Sequence, residues 1–125
     1  MRNQLIKIVL PQLAQRLHRQ VQRYRSGQLS DAQFARKFED LLQRQYSGLA
    51  GRGVPQAQAA VAVHGAVLVL TSPGLRAEAE EQGLPLEVIE YRAICAAAAD
   101  IAKTHGGSER RIFRQLSAIV AQYGE

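Results

Sequence analysis

The sequence predicts an all-α fold: a single-domain helical bundle of four to six helices. The chain has 125 residues, enough for one domain with a buried core, and 46% of them are hydrophobic. Alanine, leucine, glutamine and arginine are abundant, and all four residue types favour helices. Apolar residues also recur every three or four positions over long segments, which is the spacing of one helix face.

The first predicted helix covers residues 12–25. Its apolar stripe has helical spacing and consists of Leu13, Leu17, Val21 and Tyr24. Pro11 either begins this helix or interrupts a longer one that starts near Asn3. Residues 5–10 are then either an apolar helical lead-in or a short strand.

A capping box predicts the start of a second helix. Ser30 is a good N-cap residue, and Gln33, three positions later, is placed to complete the box. This helix is expected to run to about Tyr46 and to form, with the first, a basic helical hairpin over about residues 3–47. The glycine-rich residues 48–53 predict a loop.

Apolar central and C-terminal helices are predicted over about residues 55–123. Residues 56–72 are apolar on almost every side. Their alternating valines allow a strand, whereas their length, their alanines and the preceding Pro55 favour a buried helix. The Ser-Pro-Gly sequence at 72–74 predicts a turn, and residues 76–82 predict a short acidic helix.

The last two helices are predicted to meet at Gly106-Gly107. Pro85 opens the first of them, and its four alanines at 96–99 allow another helix to approach closely, inside the fold or across a dimer. Ser108 is expected to cap the last helix. The apolar stripe of that helix consists of Ile112, Leu116, Ile119, Val120 and Tyr123.

The segment around this corner carries a spacing with functional meaning. It reads Ile-Ala-x3-Gly-x-Ser-x3-Ile-x-Arg-x-Leu, formed by Ile101, Ala102, Gly106, Ser108, Ile112, Arg114 and Leu116. Over about residues 98–118 this spacing resembles the helix-turn-helix of bacterial DNA-binding proteins. The resemblance implies that the last helix enters the major groove and that its polar residues contact DNA. Those residues are Ser108, Glu109, Arg110, Arg111 and Arg114. Alternatively, two long antiparallel helices simply meet at a glycine corner.

The charge distribution is uneven along the chain. The net charge is +5 overall; residues 1–52 carry 10 Lys and Arg against 3 Asp and Glu, whereas residues 53–125 carry 6 against 8. A basic first half suits nucleic acid or an acidic protein partner, or it is a solvated face. In the first helix, Arg16, Arg19 and Arg23 share a polar face and are candidate phosphate contacts.

No enzyme, metal site or cofactor is predicted. The three histidines, His18, His64 and His105, are far apart in sequence and lack metal-ligand spacing. The single cysteine, Cys95, is expected to be a small buried side chain and is compatible with a cytoplasmic location. The longest apolar stretch, Ala59 to Leu70, has 12 residues and is too short to span a bilayer.

Two functions from different classes fit these observations. The first is a small nucleic-acid-binding or regulatory protein that uses the C-terminal helix-turn-helix-like element. The second is a non-catalytic helical protein–protein interaction module, acting as a homodimer or as a subunit of a larger assembly. The alanine run and the apolar central segment motivate the second.

Overall fold

The computed structural model of the protein describes residues 4–124, and this part of the chain contains six α-helices. They are α1 (Gln4–Arg25), α2 (Asp31–Gly51), α3 (Gln56–Leu70), α4 (Ser72–Gln82), α5 (Leu86–His105) and α6 (Glu109–Tyr123). The predicted all-α helical bundle is therefore confirmed.

The third helix is the centre of the bundle. It contacts all five other helices, and it carries buried residues on every side. A helix without a polar face can only be accommodated in this way, because any side left in water would expose apolar surface. Residues 56–70 are thus a buried helix and not a strand.

Two pairs of consecutive helices, α1–α2 and α5–α6, pack against α3, and α4 packs against α5. Each helix pair helps to form one cluster of buried side chains. The first cluster includes Val9, Leu13, Leu41, Leu49, Val63 and Ile119. The second includes Ala60, Leu68, Ile94, Ala98, Ile101, Ile112 and Leu116. Large buried aliphatic residues in both clusters supply the hydrophobic stabilisation of the fold.

Small residues bring α5 and α6 close to α3. Ala60 of α3 and Ala98 of α5 are completely buried in the second cluster. At Gly65, an added Cβ atom would lie 2.8 Å from Cδ1 of Ile119 in α6, which is closer than real Cβ contacts. Part of the alanine run at 96–99 is therefore used inside the fold, although Ala96 and Ala99 are exposed.

The bounds of α1 show whether Pro11 begins this helix or lies within a longer one. The helix already includes Gln4, and Pro11 lies inside it, so residues 5–10 are helical. Ile6 and Val9 are buried in the first cluster, which explains why the helix continues across the proline. The expected start near Asn3 lies outside the described residues.

Two predicted interruptions are wrong. The helix α2 continues through Gly48 to Gly51, although residues 48–53 predicted a loop. Burial of Leu49, which is 3% exposed, favours the helix over the intrinsic preference of the glycines. Residues 72–74 are likewise not a turn but the start of α4, where a proline is tolerated because its missing N–H needs no partner.

The N-terminal caps predicted for α2 and α6 are confirmed. Ser30 accepts a hydrogen bond from the Gln33 N–H at 3.2 Å, and the Gln33 side chain accepts one from the Ser30 N–H at 2.9 Å. The expectation that Cys95 is buried is only partly met, since this side chain is half-buried beside the exposed Tyr91.

Candidate nucleic-acid interface

The corner between α5 and α6 is shaped by two glycines and one serine. Gly106 and Gly107 have φ angles of +81° and +95°, a region that L side chains rarely adopt. After them, the Ser108 hydroxyl accepts a hydrogen bond from the Arg111 N–H at 3.2 Å and starts α6. The sequence therefore turns the chain sharply and presents the first turn of α6 at the surface.

One face of α6 is anchored in the bundle. Ile112, Leu116 and Ile119 are 7%, 0% and 3% exposed, and they pack with residues of α3 and α5. In a helix, residues three and four positions apart share a face, so the intervening residues must point elsewhere. Phe113 lies between the buried face of α6 and its exposed face. Its ring packs edge-on against Tyr91 of α5, with ring centroids 5.4 Å apart.

The opposite face of α6 carries the arginines expected from the sequence. Arg110, Arg111 and Arg114 are all exposed, and so are Ser108 and Glu109. Within residues 4–124, the guanidinium groups of these three arginines have no hydrogen-bond or ion-pair partner. The structure thus brings the five predicted residues of this segment together on one exposed helix end.

The cations at this helix end are electrostatically unusual. The start of a helix carries a partial positive charge, so acidic residues stabilise it and basic residues do not. Arg110 and Arg111 lie in the first turn of α6, and Glu109 is the single acidic residue there. Ser108 accepts hydrogen bonds from the N–H groups of Arg111 and Ile112, whereas those of Glu109 and Arg110, at the very start of α6, have no intrahelical acceptor. An anion placed here would meet both kinds of donor.

The residues that carry the helix-turn-helix resemblance lie at the end of α5, in the turn and in the first half of α6. Ile101 is 1% exposed at the end of α5, Ala102 is half-buried beside it, and Gly106 has the positive φ of the turn. Two positions differ from the usual pattern, in which both are apolar: His105 is half-buried, and Gln115 is exposed. In addition, α5 has 20 residues, longer than the short helix usual at this place in the motif.

The arginines of α1 form a second, separate group. Arg16 and Arg19 are exposed, whereas Arg23 is half-buried and donates a hydrogen bond to the Gln20 side chain at 3.4 Å. The start of α1, at Leu5 and Ile6, lies near α6, but Arg16 lies about 15 Å further along the helix at 1.5 Å per residue. The two predicted groups of arginines are thus not one cluster.

A cleft of about 780 Å³ separates the start of α1 from α6. Its walls include Leu5, Val61 and Ala118, and its rim includes Arg111 and Arg114. This groove combines an apolar floor with two cations, and the sequence pattern did not predict it because its walls come from helices far apart in the chain.

A second cleft, of about 460 Å³, lies between α2, α3 and α5, and we call it the His64 cleft. It is lined by the polar residues Gln43, Tyr46, Ser47, Gln56, His64, Asp100, Thr104 and His105, and by the apolar residues Ala50, Val54, Ala59 and Ile101. Sequence reasoning missed this cluster: His64 and His105 are 41 positions apart and meet only because α3 packs against α5. The third histidine, His18, is exposed on α1.

Electrostatic interactions connect the groups in the His64 cleft. Burial lowers the pKa of His64, an effect that the nearby Asp100 carboxylate opposes and His105 reinforces. Burial, assisted by Asp100, raises the pKa of Tyr46. Burial therefore favours the uncharged form of both side chains.

Among the described residues, no three His, Cys, Asp or Glu side chains are placed to hold one metal ion. None of the described helices alone has both the length and the hydropathy needed to cross a bilayer. Taken together, α3 and α4 pass that test, but they are bent by 56° at their junction.

Comparison of the chain with protein-family models, with curated proteins and with solved structures finds no significant match, so its function must be inferred from its own residues.

Proposed function

We propose that this protein binds nucleic acid through the exposed arginine face of α6. One observation carries the proposal: Arg110, Arg111 and Arg114 are exposed and unpaired within the described chain, on a helix whose other face is buried in the bundle. Such a helix holds its cations in a fixed arrangement without neutralising them.

Phosphate is the ligand group that best matches the start of α6. Guanidinium groups bind phosphate oxygens with two parallel hydrogen bonds. The unpaired N–H groups of the first turn and the Ser108 hydroxyl add further donors. A polyanion also removes the repulsion between the helix dipole and the first-turn arginines, Arg110 and Arg111.

Base recognition would follow from the position of the same helix. An α-helix fits the major groove of duplex DNA, and arginine can donate two hydrogen bonds to the edge of a guanine. The helix-turn-helix resemblance supports this placement, with Arg110 and Arg114 as base or phosphate contacts and Ile112 as the anchor. The corresponding function is that of a small DNA-binding regulator.

The basic helix α1 would contribute at longer range. Its described residues include five Lys and Arg and no Asp or Glu. Arg16, Arg19 and Arg23 are available to hold phosphates beyond those held by α6, and their charge attracts a polyanion before contact.

A second candidate function is supported by the cleft between α1, α3 and α6. An apolar floor with Arg111 and Arg114 on the rim suits an acidic amphipathic helix of a partner protein. In that case the protein is a non-catalytic interaction module, and the same arginines pair with carboxylates instead of phosphates. In the cytoplasm this protein would meet either partner. Neither function requires catalysis or a cofactor.

Fluorescence anisotropy with a labelled 20-base-pair duplex tests the proposal. We expect binding that weakens strongly between 50 and 200 mM salt, because each neutralised phosphate contributes about 0.9 to the logarithmic salt slope. The double variant Arg110→Ala/Arg114→Ala should lower that slope by about 2. The matched control is Arg76→Ala/Arg92→Ala, which removes two exposed arginines from α4 and α5.

Two results would overturn nucleic-acid binding through α6. One is the absence of binding at 50 mM salt. The other is an equal loss of affinity in the α6 variant and in the control, which would show that only the total charge matters. Binding of an acidic amphipathic peptide, lost in Arg111→Ala/Arg114→Ala, would instead support the interaction module.

A further inference from the structure

The His64 cleft has the properties of a ligand site that is independent of the α6 arginines. Its volume of about 460 Å³ falls within the usual range of small-molecule sites, about 300–1,000 Å³. Polar side chains from three helices line it, and burial lowers the pKa of His64 and raises that of Tyr46. Convergent polar groups with perturbed titration in a cleft are typical of functional sites.

The cleft carries one formal charge. Asp100, an exposed residue, is the one Asp, Glu, Lys or Arg among its lining residues, and its carboxylate has no ion-pair partner within residues 4–124. The neighbouring imidazole of His64 does not neutralise it, because burial disfavours the protonated form. The cleft therefore has an uncompensated negative charge.

The remaining walls suit a hydrocarbon group. Val54, Ala59 and Ile101 supply aliphatic surface, and the half-buried Tyr46 adds an aromatic residue, a type of side chain that attracts cations. A neutral imidazole has one ring nitrogen that can accept a hydrogen bond, so His64 can bind an ammonium N–H group together with Asp100. No three metal-ligating side chains are suitably placed in the described chain, which favours an organic cation over a metal ion.

We propose that the His64 cleft binds a small organic ammonium ion. The ammonium group lies against the Asp100 carboxylate, and the hydrocarbon body lies against Tyr46 and Ala59.

A titration of the full-length protein with two matched probes tests this proposal. Benzylamine is charged at pH 7, whereas benzyl alcohol has nearly the same shape and is neutral. In NMR spectra we expect saturable shifts of the backbone amides of Ala59, Asp100 and Thr104 with benzylamine, and at least tenfold weaker binding of benzyl alcohol. Asp100→Asn should weaken benzylamine binding at least tenfold, and Asp40→Asn, an exposed aspartate of α2 outside the cleft, should not.

The comparison of the two probes needs no variant, so it stays informative even if Asp100→Asn does not fold. Equal binding of both probes, or an absence of saturable shifts at these amides, would overturn the proposal. So would unchanged benzylamine affinity in a folded Asp100→Asn variant. None of these results bears on nucleic-acid binding by α6, because the cleft shares no arginine with that face.

Discussion

The helix pairs α1–α2 and α5–α6 are joined by turns of opposite character. In the α1–α2 turn, Tyr24 stacks on Phe34 with ring centroids 4.8 Å apart, and its hydroxyl donates a hydrogen bond to Asp31. Ser30 and Gln33 form a complete capping box below this stack. Polar and aromatic contacts within the hairpin therefore close this turn.

The α5–α6 turn lacks these contacts. Ser108 makes the single side-chain cap bond of α6, and the position that corresponds to Gln33 holds Arg111, which has no acceptor atom. Two successive glycines with positive φ precede the cap. The α5–α6 turn therefore has fewer side-chain hydrogen bonds than the α1–α2 turn, and its arginines are unpaired within the described chain.

This difference agrees with the proposed binding of nucleic acid at the start of α6. A turn that satisfies its own polar groups has little to offer a ligand, whereas unpaired cations and free N–H groups are available to one. Departures from local stability rules are expected at functional sites. The α1–α2 turn follows those rules, and the α5–α6 corner departs from them.

The largest expected difference is in the unfolding free energies of two glycine variants, one in α2 and one in α3. Gly48 of α2 has open space around it, so Gly48→Ala should raise the unfolding free energy by about 0.5–1 kcal/mol. Gly65→Ala gains the same helix preference but forces a Cβ atom against Ile119, which costs about 1–3 kcal/mol. Urea denaturation of both variants measures the difference.

Ile119→Val provides the control, because it removes the Cδ1 atom that lies 2.8 Å from the added Cβ. In a double-mutant cycle, Gly65→Ala should be better tolerated in the Ile119→Val background, with a coupling of about 0.5–3 kcal/mol. Equal stabilisation by Gly48→Ala and Gly65→Ala would contradict the close approach of α3 and α6.

The stability of the protein should depend on pH through His64. Burial lowers the pKa of His64 in the folded protein below its ordinary value of 6.5, so the unfolded chain takes up a proton first as the pH falls. Stability should therefore decrease as the pH falls below about 6.5 and stop decreasing below the folded-state pKa. Thermal unfolding between pH 7.5 and pH 5.5 should show this decrease in the natural sequence and a smaller one in His64→Gln. An unchanged pH dependence in the variant would assign the effect to other groups.

The smallest expected effect comes from a substitution that makes the α5–α6 turn more like the α1–α2 turn. Arg111→Gln places an acceptor three residues after Ser108, as Gln33 lies after Ser30, and removes a cation from the first turn of α6. We expect the unfolding free energy to rise by about 0.3–1 kcal/mol, while DNA affinity at 50 mM salt falls. Chemical denaturation and anisotropy on the same sample measure both quantities. A variant that is less stable, or that binds DNA as well as the natural sequence does, would show that Arg111 is not kept for binding.

Most of the secondary structure could be predicted because its causes are local. The caps at Ser30 and Ser108 depend on residues within one turn of the helix end. The continuous apolar surface of residues 56–70 likewise favoured a buried position. These features need no knowledge of the rest of the fold.

The two misplaced breaks show the limit of local preferences. Glycines at 48 and 51 disfavour a helix by about 1 kcal/mol each, yet burial of Leu49 in the first cluster keeps α2 helical through them. Neighbouring helices, and not the glycines, determine where α2 ends.

The arginines of the candidate interface could be named from the sequence, because helical spacing alone separates Arg110 and Arg114 from the buried Ile112 and Leu116. The His64 cleft could not, since its residues come from three helices and only packing brings them together. The sequence by itself thus determined the all-α class, the caps at Ser30 and Ser108 and which face of α6 is basic, because these depend on composition and on neighbours within a few positions. Tertiary structure alone decided that residues 5–10 and 56–70 are helical, how long the helices are and where both clefts lie, because these depend on contacts between distant segments.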